Sequence, residues 1–459
     1  MKNLTSYAKV SNKLKTYNIL FYSLVLSAVL FIFLSNPFLV KGYDPWNDHL
    51  RYIATCYNGA PVPRIWHIMW AEFFKFIGIG DIFIWAKIIH VFQFILAATA
   101  LYYFSKTALT ILIKSHSSKL QGTKSSDGFP SNGNDNNDIN KLGTIHVKYL
   151  SFFAVFLWFI GNGTFSEAYQ QAWIMWYSVT YQGLTIPLFW YCTALTLIIF
   201  YEELSLKKTL LCVIQITIAS FIIAKFHPME LIYYIIEIAI ILLANIKRIF
   251  SIKNKIALFM TIPIIFLTIF ISIKYFLGRS LPHRFYLILS YEGWGQIIQQ
   301  IKALGHPVVA HLNRFPNSFS EIAFISLIAM IIFRVNYLFI KDNNLSFNRN
   351  FFDVLLVSSL LFFLIPMVPF LAGGTAFIAG AGYVSRFFFA SPWFIFFPFA
   401  IYMVINMKEI HISSYKIVIT VVLILFSIVH FHKYFIPYHT ILNAKSIINS
   451  LDKTKVGMR

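Results

Sequence analysis

Asp44 and Asp48 stand four residues apart, with His49 and Arg51 beside them. Proline is well tolerated at the first position of a helix, so Pro45 can open one. Asp44 then caps that helix and Asp48 sits one turn on. Two carboxylates placed this way can take a proton from an acceptor hydroxyl or hold a divalent metal. The plain alternative is a capped helix in a solvated segment.

Three further groups of residues point to anion chemistry. Between 278 and 318 lie Arg279, His283, Arg284, Lys302, His306, His311 and Arg314, against the single acid Glu292. Guanidinium groups pair bidentately with phosphate oxygens, so this cluster suits a phosphate or pyrophosphate headgroup. Contact with ordinary anionic lipid is the simpler reading. His227 and Glu230 flank Pro228 between two apolar runs, where charged groups are costly and usually face a cavity. Lys225 is the expected structural partner of Glu230. Arg386 begins the string Arg386-Phe387-Phe388-Phe389-Ala390-Ser391-Pro392. At the start of a helix an arginine opposes the dipole, and it is better placed there if it holds an anion. The histidines show no HxxxH or HExxH spacing, which argues against zinc. Cys56, Cys192 and Cys212 match no metal or redox motif.

The chain that carries these residues has 459 residues, 58% hydrophobic and 12% charged. An ordinary soluble domain carries about 25% charged residues. Apolar runs of membrane-spanning length recur along the chain. In a bilayer every backbone polar group must be paired internally, and long continuous runs do this as helices. The expected fold is therefore all-α, a polytopic transmembrane bundle of ten or eleven spans. The spans fall at 17–40, 82–104, 148–162, 184–201, 209–224, 229–246, 256–277, 319–340, 351–372, 387–407 and 415–431. The net charge of +20 is concentrated in short segments between spans, which reads as a topology signal rather than a nucleic-acid surface.

Lysine and arginine counts orient the bundle. The N-terminal cluster, the loop 105–147, Lys247 to Lys255, the pair Lys341 and Arg349, and the pair Lys408 and Lys416 all fall on one side, the cytoplasmic one. The opposite side receives 41–81, 163–183, 278–318, His227 and Arg386. Residues 1–114 thus hold the first two spans and the first external segment. Residues 115–147 read as a polar, disordered cytoplasmic linker. Residues 148–431 form the rest of the bundle, and 432–459 a polar tail. Within 63–78, apolar residues at helical spacing among Trp66 and Trp70 indicate a helix in the membrane plane, with Arg64, His67 and Lys75 reaching toward headgroups. The aromatic-rich stretch 163–183 suits sugar stacking or interfacial anchoring equally. Abundant Lys, Asn and Ile point to an AT-rich bacterial genome and a plasma (inner) membrane location.

The arrangement resembles the polytopic GT-C glycosyltransferases, and within them the bacterial surface-polysaccharide type. One span, then an external segment with acids near the membrane (Asp44, Asp48), then an interfacial helix (63–78) carry the resemblance. Arg386 to Pro392 is similar to the late R-Y-x-x-P-x-x-P-like string of that class. Two features depart from it: the acids form neither Asp-Asp nor Asp-X-Asp, and Asn58-Gly59-Ala60-Pro61 lacks the arginine of the G-R-P-like turn. The resemblance implies a polyprenyl-phosphate sugar donor, a glycan or lipid-linked acceptor, catalysis by Asp44 or Asp48, and donor binding by Arg386 and the basic segment. His49, Arg51, His227 and Glu230 join the expected substrate contacts. No cofactor is expected, and a divalent metal is optional. Polysaccharide polymerase is a neighbouring reading. A transporter or flippase of lipid-linked oligosaccharide competes, but charged residues inside spans look scarce, with Lys87 and Arg334 near span ends.

Overall fold

The computed structural model describes residues 48–61, 65–123, 147–155, 157–158, 182–202, 204–227, 229–246, 295, 299, 321–339, 348–368, 371, 387 and 389–406. Among the described residues the regular structure is helical, with no strand. The helices include α1 (Asp48–Tyr57), α2 (Ile65–Phe76), α3 (Ile82–Thr123), α4 (Gln182–Tyr201), α5 (Leu206–Phe226), α6 (Met229–Ala244), α7 (Glu321–Phe339), α8 (Arg349–Met367) and α9 (Phe396–Asn406), with a 3-10 turn at Trp393–Ile395 before α9; residues 147–155 and 157–158, within the expected span 148–162, are also helical. The expected spans at 17–40, 256–277 and 415–431 lie outside the described residues.

Three stretches, Val91–Ile113, Gln182–Tyr201 and Leu206–Phe226, are long and apolar enough to cross a membrane. Their surroundings differ in a telling way. α4 is enclosed along most of its length, whereas α5 turns Leu206, Leu210, Leu211, Ile214, Ile218 and Phe221 outward. Those positions recur every three or four residues and so form one face of the helix. In water a continuous apolar face of this size is a liability. Against lipid tails it carries no such penalty, because the tails are as apolar as leucine.

α4 is the hub: α3, α5 and α6 all pack on it. Aromatic rings fill the interior, with Trp190 of α4 meeting Phe104 of α3 at 4.5 Å and Phe394 at 5.2 Å between centroids. At Gly183 the helices α3 and α4 come so close that the Gln93 side chain occupies the place of a β-carbon, 2.1 Å from it. Thr193 and Thr196 donate their hydroxyls back to the carbonyls of Phe189 and Cys192, which satisfies polar groups inside an apolar helix.

One end of the bundle is tied by asparagines. The Asn348 N–H donates to Leu112 O at 3.0 Å, and the Asn348 side chain caps α8 by accepting from Phe351 N. Asn245 Nδ2 donates to Tyr201 Oη at 2.7 Å, and Asn350 Nδ2 donates to Asn245 Oδ1 at 3.2 Å. The end of the apolar part of α3, the ends of α4 and α6 and the start of α8 therefore meet. These are the ends to which the sequence assigns the basic cytoplasmic segments.

Three expectations change. First, α3 runs on to Thr123, so residues 105–123 are helix rather than loop, and the polar linker expected over 115–147 opens with helical turns. An established helix extends at little cost through Ser, Lys, Leu and Gln, and it is described as far as Thr123. At about 1.5 Å per residue, α3 is roughly twice as long as a bilayer's hydrocarbon core. Second, 387–407 is not one helix. The α-helix starts at Phe396, after the break at Ser391 and Pro392, because a residue before proline is driven out of the helical region. Third, Arg334 is not a lone charge near a span end. Its Nε and Nη2 bind both carboxylate oxygens of Asp353 at 2.6 and 2.9 Å, joining α7 to α8.

Candidate functional site

The sequence-named residues divide into three groups. Asp44, Arg279, Arg284, His306, Arg314 and Arg386 lie outside the described residues. Asp48, His49 and Arg51 are helical in α1, whose described part opens at Asp48. Their side chains lie outside what is described. His227 and Glu230 are described in full.

The His227–Glu230 pair is built by its local sequence. Pro228 forbids helical geometry at the residue before it, and His227 adopts φ −159° and ψ 96°, which ends α5. The His227 N–H still donates to Ile223 O at 2.7 Å, closing the last turn. α6 begins at Met229, which puts Glu230 in its first turn, where a carboxylate complements the positive end of the dipole. The three-residue offset brings His227 Nδ1 within 2.6 Å of Glu230 Oε2. The Glu230 side chain is wholly buried and that of His227 is 8% exposed.

This pairing replaces the expected Lys225–Glu230 contact. Lys225 is exposed on the last turn of α5, whereas Glu230 faces inward. With the carboxylate ionised, its oxygen accepts and the ring nitrogen Nδ1 is the donor. The contact with the Glu230 carboxylate sets the orientation of the ring. Glu230 Oε1 is buried without a hydrogen-bond partner among the described residues.

Two distant segments converge on this elbow. From early in the chain, Trp66 of α2 meets Phe226 edge to face with centroids 5.9 Å apart. The small core of α1, α2 and the start of α3 includes Leu50, Ile53, Trp66, Trp70, Phe74 and Trp85, and Leu184 and Phe226 pack against it. From late in the chain, Phe387, the neighbour of Arg386, packs on Tyr233 at 4.8 Å. Tyr233 lies one turn beyond Glu230 and also meets Phe362 of α8. The cap helices, the α5–α6 elbow and the residue after Arg386 thus share one end of the bundle, opposite the asparagine-tied end.

The α2 helix partly departs from expectation. Ile65, Ile68, Met69, Phe73 and Phe76 form its exposed face, as an interfacial helix requires. His67, expected among headgroups, is fully buried with its ring 5.1 Å from that of Tyr52. It shares the inward face with Trp66, Trp70, Ala71 and Phe74. Lys75 is on the surface and bonds Glu72 at 2.7 Å.

Sequence reasoning missed Glu237. It lies two turns past Glu230 on α6, is buried, and accepts a hydrogen bond from Ser358 Oγ of α8. The signal was a lone acid in the middle of Ile235-Ile236-Glu237-Ile238-Ala239-Ile240. No cluster of three or more His, Cys, Asp or Glu able to hold a metal occurs among the described residues. Comparison with family models, with curated proteins and with solved structures gives no match in any of the three.

Proposed function

We propose that this chain is a membrane glycosyltransferase with a GT-C-like bundle of ten or eleven spans. It transfers a sugar from a polyprenyl-phosphate donor to a surface glycan or lipid-linked acceptor on the extracytoplasmic face of a bacterial inner membrane. One observation carries this reading: α1, which carries Asp48, is packed through α2 onto the same end of the bundle as the His227–Glu230 pair and Phe387. An acid from the first external segment and the chain beside Arg386 are what such a reaction needs near each other.

Asp44 or Asp48 takes the proton from the acceptor hydroxyl as its oxygen attacks the anomeric carbon. The bond from that carbon to the phosphate oxygen breaks, and the phosphate keeps the electron pair. Arg386 and the basic segment 278–318 neutralise the leaving phosphate, which lowers the barrier because the positive charge is in place before the bond breaks. His227, oriented by Glu230, adds a ring nitrogen at the same end. The polyprenyl chain lies against the outward apolar faces of the bundle. No step requires a nucleotide or a metal.

The test is the cell-surface glycan profile of Asp44→Asn and Asp48→Asn variants that reach the membrane in normal amount. Loss of a glycan component with either variant supports the reading and names the base. An unchanged profile with both removes the carboxylate from the mechanism.

A second reading, transport of a lipid-linked oligosaccharide, gains from Glu237. A buried acid within a span is a feature of coupled transporters. Continued sugar transfer by purified protein with loss of lipid translocation in a Glu237→Gln variant would favour a dual role, whereas loss of translocation alone in a protein without transferase activity would favour the transporter.

A further inference from the structure

The two buried carboxylates of α6 have unlike surroundings. Glu230 has a basic partner, the His227 imidazole. Glu237 has a neutral one, the hydroxyl of Ser358, and no Lys, Arg or His pairs with it among the described residues. Both side chains are essentially sealed from solvent, at 0% and 1% exposure. Seven residues is close to two full helical turns, so both lie on one face of α6, about 10.5 Å apart along the axis.

A carboxylate sealed in an apolar interior without a counter-charge is too costly to persist, and the group takes a proton instead. The elements packed on α6 are α4, α5 and α8. From α8 the facing group is Ser358. From α4 Thr196 bonds Tyr234, the residue three before Glu237, and Cys192 lies on the same helix one turn earlier. α5 contributes Cys212, half-buried, and its only described cations near this level are at the ends, Lys207, Lys208 and Lys225. Glu237 itself interacts with none of these charged groups.

We infer that Glu237 and Ser358 form a proton-binding site inside the bundle, at the contact between α6 and α8. The ligand is a proton from the aqueous phase, which adds to the carboxylate to give a neutral carboxyl group. No other bond changes. The carboxyl and the serine hydroxyl then hold α6 to α8. Above them, Tyr233 of α6 packs on Phe362 of α8 and on Phe387. Proton loss leaves a bare charge at this contact and loosens it beside the elbow. The site stands whether or not the chain transfers sugar, since its argument uses no donor or acceptor.

Infrared difference spectroscopy on the full-length protein in lipid nanodiscs tests it, because a protonated carboxyl has a C=O stretch separate from that of a carboxylate. At about pH 7, where ordinary glutamates are ionised, wild type should show this band. Glu237→Gln should lose it, and Glu72→Gln, at an exposed surface pair, should keep it. Should Glu237→Gln fail to fold, Ser358→Ala decides: removal of the hydroxyl bond should move the band to higher wavenumber. A band that survives Glu237→Gln, or that is unmoved by Ser358→Ala, overturns the proposal. So does a band absent from wild type in sodium buffer and present once choline replaces sodium, which would make this a monovalent cation site.

Discussion

Trp66 and Phe226 are 160 residues apart in the chain, yet their rings meet at 88° with centroids 5.9 Å apart. Phe226 is the last residue of α5, and His227 follows it. The contact therefore seats the cap helices on the elbow that holds the buried His227–Glu230 pair. Tyr233 extends the arrangement by binding Phe387 one turn further on. Three segments distant in sequence are thereby fixed relative to one another by aromatic packing.

Breaking the buried pair from one side should be costly. His227→Ala leaves Glu230 buried with neither oxygen bonded to a partner among the described residues. Leaving a buried polar group unsatisfied costs about 1–3 kcal/mol. The double variant His227→Ala with Glu230→Gln should lose less than the sum of the single losses, because the contact couples the two sites. Denaturant titration of the purified protein in mixed micelles measures all four forms. Strict additivity would show that the pair contributes no coupling.

A side chain at Gly183, where α3 meets α4, should require the Gln93 side chain to move. A β-carbon at Gly183 would lie 2.1 Å from the Gln93 side chain, which is itself buried. Gly183→Ala is expected to destabilise by about 1–3 kcal/mol through overpacking. Adding Gln93→Ala should recover part of that loss. Thermal inactivation of the membrane-extracted protein gives the ranking, and a fully stable Gly183→Ala would contradict the packing described.

Arg334 and Asp353 make a bidentate contact at a partly exposed position, with side chains 25% and 40% accessible. Solvent screening reduces such a pair to about 0.5–1 kcal/mol. Arg334→Ala should shift stability by that small amount only, and the shift should shrink at high salt. A loss several times larger would mean that the pair is shielded by something beyond its own exposure.

Cys56 sits in α1 within the cap, outside the spanning helices, and burial pushes its thiol up from the ordinary value, with Lys75 opposing. The thiolate is the reactive form, so a raised value keeps the thiol protonated as pH rises through the ordinary cysteine range. Alkylation of Cys56 at about pH 8.5 should be slow in the folded protein and fast after denaturation. The sign for stability follows: the folded state holds the proton more tightly, so stability falls as pH climbs from the unfolded toward the folded value. Rapid labelling of the native protein would show that the cap is open.

The spans at 184–201 and 209–224 were legible because hydropathy acts over about twenty residues, and a window that long averages out local detail. The predicted 184–201 and 209–224 became Gln182–Tyr201 and Leu206–Phe226. Local backbone rules were less visible. The break at Pro392 disappears in an apolar average, and so does the run of α3 past its apolar part. The elbow at His227 was readable because Pro228 leaves few choices. Its partner was not, since Lys225 and His227 are both near Glu230 in sequence, and only the inward turn of α6 decides between them. Glu237 was missed for a related reason. One acid among isoleucines barely lowers the hydropathy of a span, and its bond to Ser358 crosses 121 residues.

Sugar transfer at the outer face requires the cap and the elbow to face away from the cytoplasm, with the asparagine-tied end facing it. Asn58, exposed in the turn after α1, and Arg349, exposed at the start of α8, report the two ends. In a background with Cys56, Cys192 and Cys212 replaced by serine, Asn58→Cys should react with a membrane-impermeant maleimide on intact cells, and Arg349→Cys only after permeabilisation. The reverse pattern, or labelling of both from the same side, would contradict sugar transfer at the outer face.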